Sequence, residues 1–230
     1  MSLAVAILSR DCIVVGADRR TTITSQMGTR YSNETTKIFP MDSRVVIAYT
    51  GDNYVVSGFS VERFLISFKA KYFNQPSHPL SELPARLLEE IQSLNSHSDI
   101  AFLVAGYIEN THNHVAYFVT TKTNTIEKAV SPENYAACFM GRTHIANAIL
   151  NGSPSYKISY QSLSIKEVIN LIRLTIMATS EAFQFYDAQV VGGETDLYII
   201  YADAHCSSHW LTQNHLELAT PESCNSDGTQ

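Results

Sequence analysis

The beginning of the chain constrains the fold more than any other part of the sequence. Two apolar runs rich in β-branched residues, residues 2–8 and residues 12–17, are separated by the polar residues 9–11. This pattern predicts an antiparallel hairpin, which brings the two ends of the segment together in space. We therefore expect Ser2 to lie beside Asp18, the first polar residue after the second run.

Ser2 is a candidate nucleophile, provided that Met1 is removed, and a small second residue permits that removal. A serine at the start of a mature chain carries a nucleophilic hydroxyl and, in its own α-amine, a base with a pKa of about 7.7–8.0. If Met1 stays attached, the base is lost and Ser2 is an ordinary residue at the start of an edge strand.

Three segments resemble the start of a proteasome β-type subunit, a family of the N-terminal nucleophile (Ntn) hydrolase superfamily, in the form of a bacterial proteasome-like homologue. They are residues 14–21, which contain Ala17-Asp18-Arg19-Arg20, residues 36–40, which contain Lys37, and residues 47–52, which contain Gly51-Asp52. In that family an apolar strand ends in Ala-Asp-x-Arg, a lysine precedes the next strand, and a glycine turn leads to the first long helix. The segment between Asp18 and Lys37 is longer here than in the family.

The resemblance implies a catalytic role for several residues. Ser2 falls at the nucleophile of the family, Asp18 at its acidic residue, Arg20 at its arginine, Lys37 at its catalytic lysine and Gly51 at the glycine whose N–H binds the oxyanion. It also implies a homo-oligomeric ring, peptide or small-amide substrates and a cytoplasmic location. No feature of the sequence itself demands the ring, and a regulatory ATPase partner stays an open question.

A further segment, residues 191–198, contains Gly192-Gly193 and resembles the segment of proteasome subunits in which a Gly-Gly pair follows the last long helix. The family places an aspartate four residues before that pair and a serine directly before it, where this chain has Ala188 and Val191. Asp187, displaced by one residue, is a weak candidate for the missing aspartate. The family also places a serine just before the glycine that opens the short helix, and here Met140 stands at that position, in front of Gly141.

Each candidate also has a plainer interpretation. A lysine at the start of a strand is usually solvated, which would describe Lys37. Asp18 would then pair with Arg19 or Arg20, and Gly51 would serve only as a turn residue.

The order of hydrophobic periods predicts an α+β fold. Residues 2–20, 36–39 and 44–49 have the pattern of a four-stranded sheet, and the polar residues 21–35 that of a strand end and a loop bordering a substrate groove. Helical periods at residues 52–73 and 80–94 follow, the second helix beginning one turn before Pro84. The chain then continues with four strands, at residues 100–108, 115–120, 125–130 and 136–140. Two helices follow, at residues 141–150 and, longer, after Ser164, and the last elements are two strands at residues 196–202 and 208–211. This order predicts a four-layer αββα sandwich, and the family resemblance implies that this sandwich is the Ntn-hydrolase fold.

Composition excludes several classes of function. A net charge of −6, without a basic run, argues against nucleic acid and membrane partners. The apolar runs are too short to span a membrane, so we expect a cytoplasmic protein. Four scattered cysteines are typical of reduced thiols. We expect one domain, residues 1–219, followed by a flexible tail, residues 220–230.

The histidines do not have the spacing of a metal site. His112 and His114 share a strand face, and His205, His209 and His215 lie near the end of the chain, but no cysteine or carboxylate has ligand spacing to them. We therefore expect neither metal nor cofactor. Two alternatives to a peptidase stay open: a catalytically silent ring subunit of the same fold, and a small-molecule amidohydrolase or acyl transferase.

Overall fold

The structure, a computed structural model, describes residues 2–25, 28–73, 79–152, 157–185, 191–203 and 206–211. Within these ranges the chain has a mixed α/β fold of antiparallel sheets and four α-helices. The strands are β1 (Leu3–Leu8), β2 (Cys12–Asp18), β3 (Thr21–Ser25), β4 (Gly28–Ser32), β5 (Ile38–Pro40), β6 (Val45–Gly51), β7 (Tyr54–Val56), β8 (Phe59–Ser60), β9 (Ile100–Tyr107), β10 (His114–Thr120), β11 (Thr125–Val130), β12 (Ala136–Gly141), β13 (Thr195–Tyr201) and β14 (His209–Leu211). The helices are α1 (Val61–Tyr72), α2 (Leu83–Ser93), α3 (His144–Leu150) and α4 (Ile165–Gln184). The predicted tail, residues 220–230, lies outside the described residues.

The first sheet has the strand order β12-β1-β2-β13-β14 and is antiparallel throughout. The predicted N-terminal hairpin is confirmed, with Ala4 of β1 opposite Ala17 of β2. β1 also pairs with β12, so that Leu3 lies opposite Gly141. The plainer interpretation of Ser2, as a residue at the start of an edge strand, is therefore wrong in this respect: β1 is an inner strand, and the end of β12 lies next to Ser2.

The second sheet has the strand order β11-β10-β9-β6-β5. It contains β5 and β6, which we expected to join the N-terminal hairpin in a single four-stranded sheet, and that expectation is wrong. The outer edge of β2 is occupied by β13, which places Thr195 opposite Asp18. β6 instead pairs with β9, and Gly51 lies opposite Ile100.

Three apolar clusters hold these elements together. One is shared by the two sheets, a second joins the second sheet to α1 and α2, and a third joins the first sheet to α3 and α4. The alternation along β1 shows this division, since Ala4 belongs to the cluster between the sheets and Val5 to the cluster with α4. Both faces of β1 are therefore buried, as its uninterrupted apolar sequence requires.

The polar residues 21–35 form more structure than the sequence predicts. Instead of a loop they contain the β3–β4 hairpin, in which Thr21 lies opposite Ser32. Threonine favours strands, but this hairpin is largely exposed and has no alternating apolar face that would reveal it in the sequence.

The first long helix starts later than predicted. Residues 54–60 form the β7–β8 hairpin, and α1 begins at Val61 because the Ser60 side chain caps it by accepting a hydrogen bond from the Arg63 N–H. Likewise, α2 begins at Leu83 and not a turn earlier, so Pro84 lies in the first turn, where a missing N–H costs nothing.

The long helix α4 begins as predicted, with a capping box between Ser164 and Glu167. It packs closely on β2 at Gly16, where an added Cβ would lie 2.3 Å from Ile172 Cγ2. None of the helices in the described ranges is long and apolar enough to cross a membrane.

Candidate active site

The Asp18 carboxylate, at the end of β2, is the centre of a buried hydrogen-bond network. Its Oδ1 accepts from the Leu3 N–H (2.9 Å) and from Lys37 Nζ (3.1 Å). Its Oδ2 accepts from the backbone N–H groups of Arg20 and Gly192, both at 3.2 Å. Asp18 therefore connects β1, the strand that begins next to Ser2, to segments that are distant in sequence.

All four acceptor positions of Asp18 face N–H donors, so this geometry holds the ionised carboxylate. Burial raises the pKa of Asp18, and the Lys37 charge and the N–H donors oppose that shift. Burial lowers the pKa of Lys37, and the Asp18 charge opposes it in turn.

Lys37 directly precedes β5 and lies almost entirely out of solvent, with a side chain that is 1% exposed. Its Nζ donates to Asp18 Oδ1 and to the carbonyl oxygen of Arg20. The solvated-lysine interpretation is therefore wrong. The family resemblance alone signalled this burial, because lysines are rarely buried.

The arginines beside Asp18 make other contacts. Arg19 pairs with Asp196 at 2.7 Å and with Glu194 at 3.1 Å. Arg20 Nε donates to Asn33 Oδ1 at 2.9 Å. The interpretation of Asp18 as an ion-pair partner of Arg19 or Arg20 is therefore wrong, because Asp18 pairs with Lys37.

Ser2 is held by the end of β12. Its carbonyl oxygen accepts a hydrogen bond from the Arg142 N–H at 2.9 Å. Gly141 has a φ of +95°, and a Cβ at this position would lie 1.9 Å from the same carbonyl oxygen. Only glycine therefore allows β12 to approach Ser2 this closely.

Ser2 lines a cavity of about 460 Å³ at the ends of β1, β6 and β12. Gly51 lines it as well and has a φ of +103°, and a Cβ there would lie 2.1 Å from the Asp99 carbonyl oxygen. The full lining consists of Ser2, Thr21, Thr22, Thr50, Gly51, Asp52, Asn53, Asp99, Ala101, Gly141 and Arg142. The cavity thus combines a serine and a glycine turn with polar side chains of both charges.

The structure brings Ser2 and Gly51 to one cavity and joins the Asp18–Lys37 pair to the backbone N–H of Leu3, the residue after Ser2. Asp187 lies outside the described residues. The positions at which the family has its two serines are apolar: Met140 packs in the cluster between the sheets, and Val191 in the cluster with α4. Of the described residues in that segment, Gly192 donates its backbone N–H to Asp18.

Residues 21–35 are predicted to border a substrate groove, and Thr21 and Thr22 do line the cavity, whereas no sequence pattern indicates Arg142 as a cavity residue. The pairing of β1 with β12 brings Arg142 next to Ser2, and Thr22 belongs to the β3–β4 hairpin and lines the same cavity. An aligned set of relatives would be needed to detect such long-range pairings from sequence.

Among the residues that the structure describes, no histidine lines the cavity. His114 is buried, and its Nε2 lies 2.8 Å from the Asn134 carbonyl oxygen, while His112 Nδ1 lies 3.0 Å from the Ala202 carbonyl oxygen. Within the described ranges, no group of three or more histidine, cysteine or acidic side chains converges as metal ligands would. Cys12 and Cys138 are buried thiols.

Comparison with known proteins places this arrangement in a family. The sequence pattern of the proteasome subunit family matches residues 2–191. A solved structure, the Anbu (Gly-1) mutant from Hyphomicrobium sp. strain MC1, superposes with a TM-score of 0.64 at 14% identity over 92% of this chain and 85% of that chain, a likeness of fold. A search of curated proteins found no match. The family match spans most of the chain, and the protein is a member of the proteasome subunit family.

Proposed function

We propose that this chain is an Ntn hydrolase that cleaves peptide or amide bonds through an acyl-enzyme on Ser2, after removal of Met1. One observation carries the proposal. Ser2 lines the cavity, and the N–H of the next residue, Leu3, is bound by Asp18, which also holds the buried Lys37 ammonium. A structural ion pair needs no open cavity beside it, whereas a nucleophile does.

In the first step the α-amine of Ser2, directly or through a water molecule, accepts the hydroxyl proton while Oγ attacks the substrate carbonyl carbon. The Gly51 N–H donates a hydrogen bond to the oxyanion of the tetrahedral intermediate, the contribution that is usually largest in acyl transfer. The intermediate collapses, and the leaving amine departs with the proton from the α-ammonium. Water then attacks the ester, and Ser2 is regenerated.

Lys37 and Asp18 have supporting roles in this mechanism. A positive charge near the nucleophile lowers the pKa of the α-amine and stabilises negative charge that develops on oxygen. Asp18 keeps the ammonium in place, since both of its oxygens are fixed by backbone N–H groups. Asp18 and Lys37 are thus positioning residues, and Ser2 and Gly51 are the catalytic ones.

We further propose the four-layer αββα arrangement, because the three apolar clusters fit two stacked sheets covered by α1 and α2 on one side and α3 and α4 on the other. Residues 1–219 would form one domain. By analogy with the family, copies of the chain would assemble into a cytoplasmic ring and act on peptides.

A catalytically silent ring subunit is the second candidate, and one specific observation favours it. Met140 and Val191 are buried apolar residues at the positions of the two family serines, so these side chains supply no hydroxyl for proton transfer.

Hydrolysis assays distinguish the candidates. Wild type, Ser2→Ala and Ser93→Ala are compared on a panel of peptides and small acyl amides. Alanine also permits removal of Met1, and Ser93 is an exposed serine on α2, so Ser93→Ala is the matched control. We expect turnover by wild type and Ser93→Ala and none by Ser2→Ala. Turnover of acyl amides alone would identify an amidohydrolase, and equal activity in all three proteins, or none, would refute the role of Ser2.

A further inference from the structure

Arg142 brings a positive charge to the cavity wall, close to the proposed nucleophile. Its backbone N–H holds the Ser2 carbonyl, and its guanidinium lies 5.7 Å from the centre of the Phe183 ring. Among the described residues, no carboxylate lies within ion-pair distance of it. The side chain is half-buried, and the Phe183 ring is the favourable neighbour of its charge among the residues with described positions.

Unsatisfied polar atoms point to the same cavity. In the part of the chain that the structure describes, four buried side-chain polar atoms lack a hydrogen-bond partner, and Thr22 Oγ1 and Arg142 Nε are two of them. Both residues line the cavity. The other two, Arg44 Nε and Tyr107 Oη, belong to residues that pack on each other elsewhere, at 5.3 Å. Because buried polar groups are normally paired, the expected partner of these atoms is a water molecule or a ligand group in the cavity.

The negative charges of the cavity lie on another part of its wall. Asp99 is paired with Lys122 at 2.9 Å, and Asp52 accepts the Asp99 N–H at 2.9 Å. Asp52 follows β6 and Asp99 precedes β9, which are both strands of the second sheet, whereas Arg142 follows β12 in the first sheet. Neither carboxylate neutralises Arg142, so the charge of Arg142 remains available to a ligand.

We propose that Arg142 is the specificity-determining residue of the cavity and that the substrates are peptides or acyl amides that carry a carboxylate. A guanidinium binds a carboxylate through two parallel hydrogen bonds, and the Thr22 hydroxyl adds a further donor. The inference rests on the proposed hydrolase function, since it is the peptide nature of the substrate that makes a carboxylate the anion to expect. The carboxylate is either the free C-terminus of a peptide or an acidic side chain.

Binding to the Ser2→Ala protein tests this inference without turnover of the probe. Dissociation constants are measured by isothermal titration for acetyl-Ala-Ala-Ala with a free or an amidated C-terminus, and for amidated acetyl-Ala-Glu-Ala against acetyl-Ala-Gln-Ala. In at least one pair we expect the carboxylate to bind roughly tenfold more tightly or better than its neutral counterpart. A preference in the first pair identifies free C-termini, and one in the second pair identifies acidic side chains.

Variants in the Ser2→Ala background assign the preference to Arg142. Arg142→Gln keeps the backbone N–H that holds Ser2 or its replacement, and should reduce the ratio within the pair to about one. Arg142→Lys keeps the charge without the planar fork and should leave an intermediate ratio, which maintains the test if the glutamine variant does not fold. Asp52→Asn is the matched control in the same cavity and should not lower the ratio.

The inference is overturned if both ratios are near one in the parent protein, or if the preference persists in Arg142→Gln. Its failure differs from that of the proposed function. Hydrolysis that depends on Ser2 without any carboxylate preference would refute the role of Arg142 alone. A carboxylate preference lost in Arg142→Gln, without hydrolysis by wild type, would refute only the catalytic role of Ser2.

Discussion

Replacing Lys37 with methionine tests the buried ion pair on which the site is built. Methionine is unbranched and similar in length, so it fills most of the same space but removes the ammonium. The Asp18 carboxylate, whose side chain is 0% exposed, would keep its three backbone N–H donors and lose the ammonium that pairs with it. The Arg20 carbonyl oxygen would lose the donor that Lys37 provides.

The expected cost follows from this burial. Removing one partner of a buried pair costs about 3–5 kcal/mol, because the other charge stays uncompensated. The remaining N–H donors of Asp18 favour the lower end, about 3 kcal/mol, and the lost hydrogen bond to Arg20 adds about 1 kcal/mol. For a chain of this size, about 4 kcal/mol corresponds to a decrease of roughly 8–16 °C in Tm.

The chain offers a matched control in Lys71, which pairs with Glu90 on the surface, with side chains that are 59% and 29% exposed. Lys71→Met should leave the urea midpoint close to that of the wild type, since exposed ion pairs contribute little. Urea unfolding, with the slope and the midpoint fitted for both variants, measures the difference. If Lys37→Met were no more destabilising than Lys71→Met, Lys37 would not hold a buried counter-charge and the proposed site would lose its foundation.

Two further predictions concern other parts of the fold. Gly141→Ala should destabilise the protein by more than the roughly 1–2 kcal/mol that an unfavourable φ costs, because the new Cβ also meets the Ser2 carbonyl oxygen. Gly58, with a φ of +78° and open space around it, provides the control variant Gly58→Ala in thermal unfolding. Equal losses of stability in the two variants would disprove the clash. Burial lowers the pKa of His114 in the folded state, so the unfolded state binds more protons and stability should fall as the pH drops below about 6.5. Urea midpoints are compared at pH 7.5 and pH 5.5, about one unit on either side of that value. The difference between the two midpoints should be smaller in His114→Gln than in the wild type, whereas the same substitution at exposed His97 should leave the difference unchanged.

Local sequence was enough to predict the hairpin that the site is built on. The apolar runs of β1 and β2 are separated by a three-residue turn, which fixes their register and brings the Ser2 end of the chain to Asp18. Capping residues likewise marked the start of α4. In each case the information lies within a few residues of the element.

Other features depend on contacts between distant segments. The pairing of β2 with β13 and of β1 with β12 divides the strands between two sheets and delivers Arg142 to the cavity, and no periodic pattern encodes such pairings. The exposed β3–β4 hairpin lacks an apolar face. Val55 and Phe59 of the β7–β8 hairpin have helical spacing and pack in the same cluster as α1, which made the helix seem longer than it is.

The state of the N-terminus and its reaction with an electrophile test the central claim most directly. The purified protein is incubated with a peptide β-lactone, which acylates a reactive hydroxyl, and its intact mass and peptide map are recorded. We predict a chain without Met1 that carries one acyl group on Ser2, absent from Ser2→Ala and present in Ser93→Ala. A chain that retains Met1, or a chain without Met1 whose Ser2 stays unmodified, would contradict the assignment of Ser2 as the nucleophile.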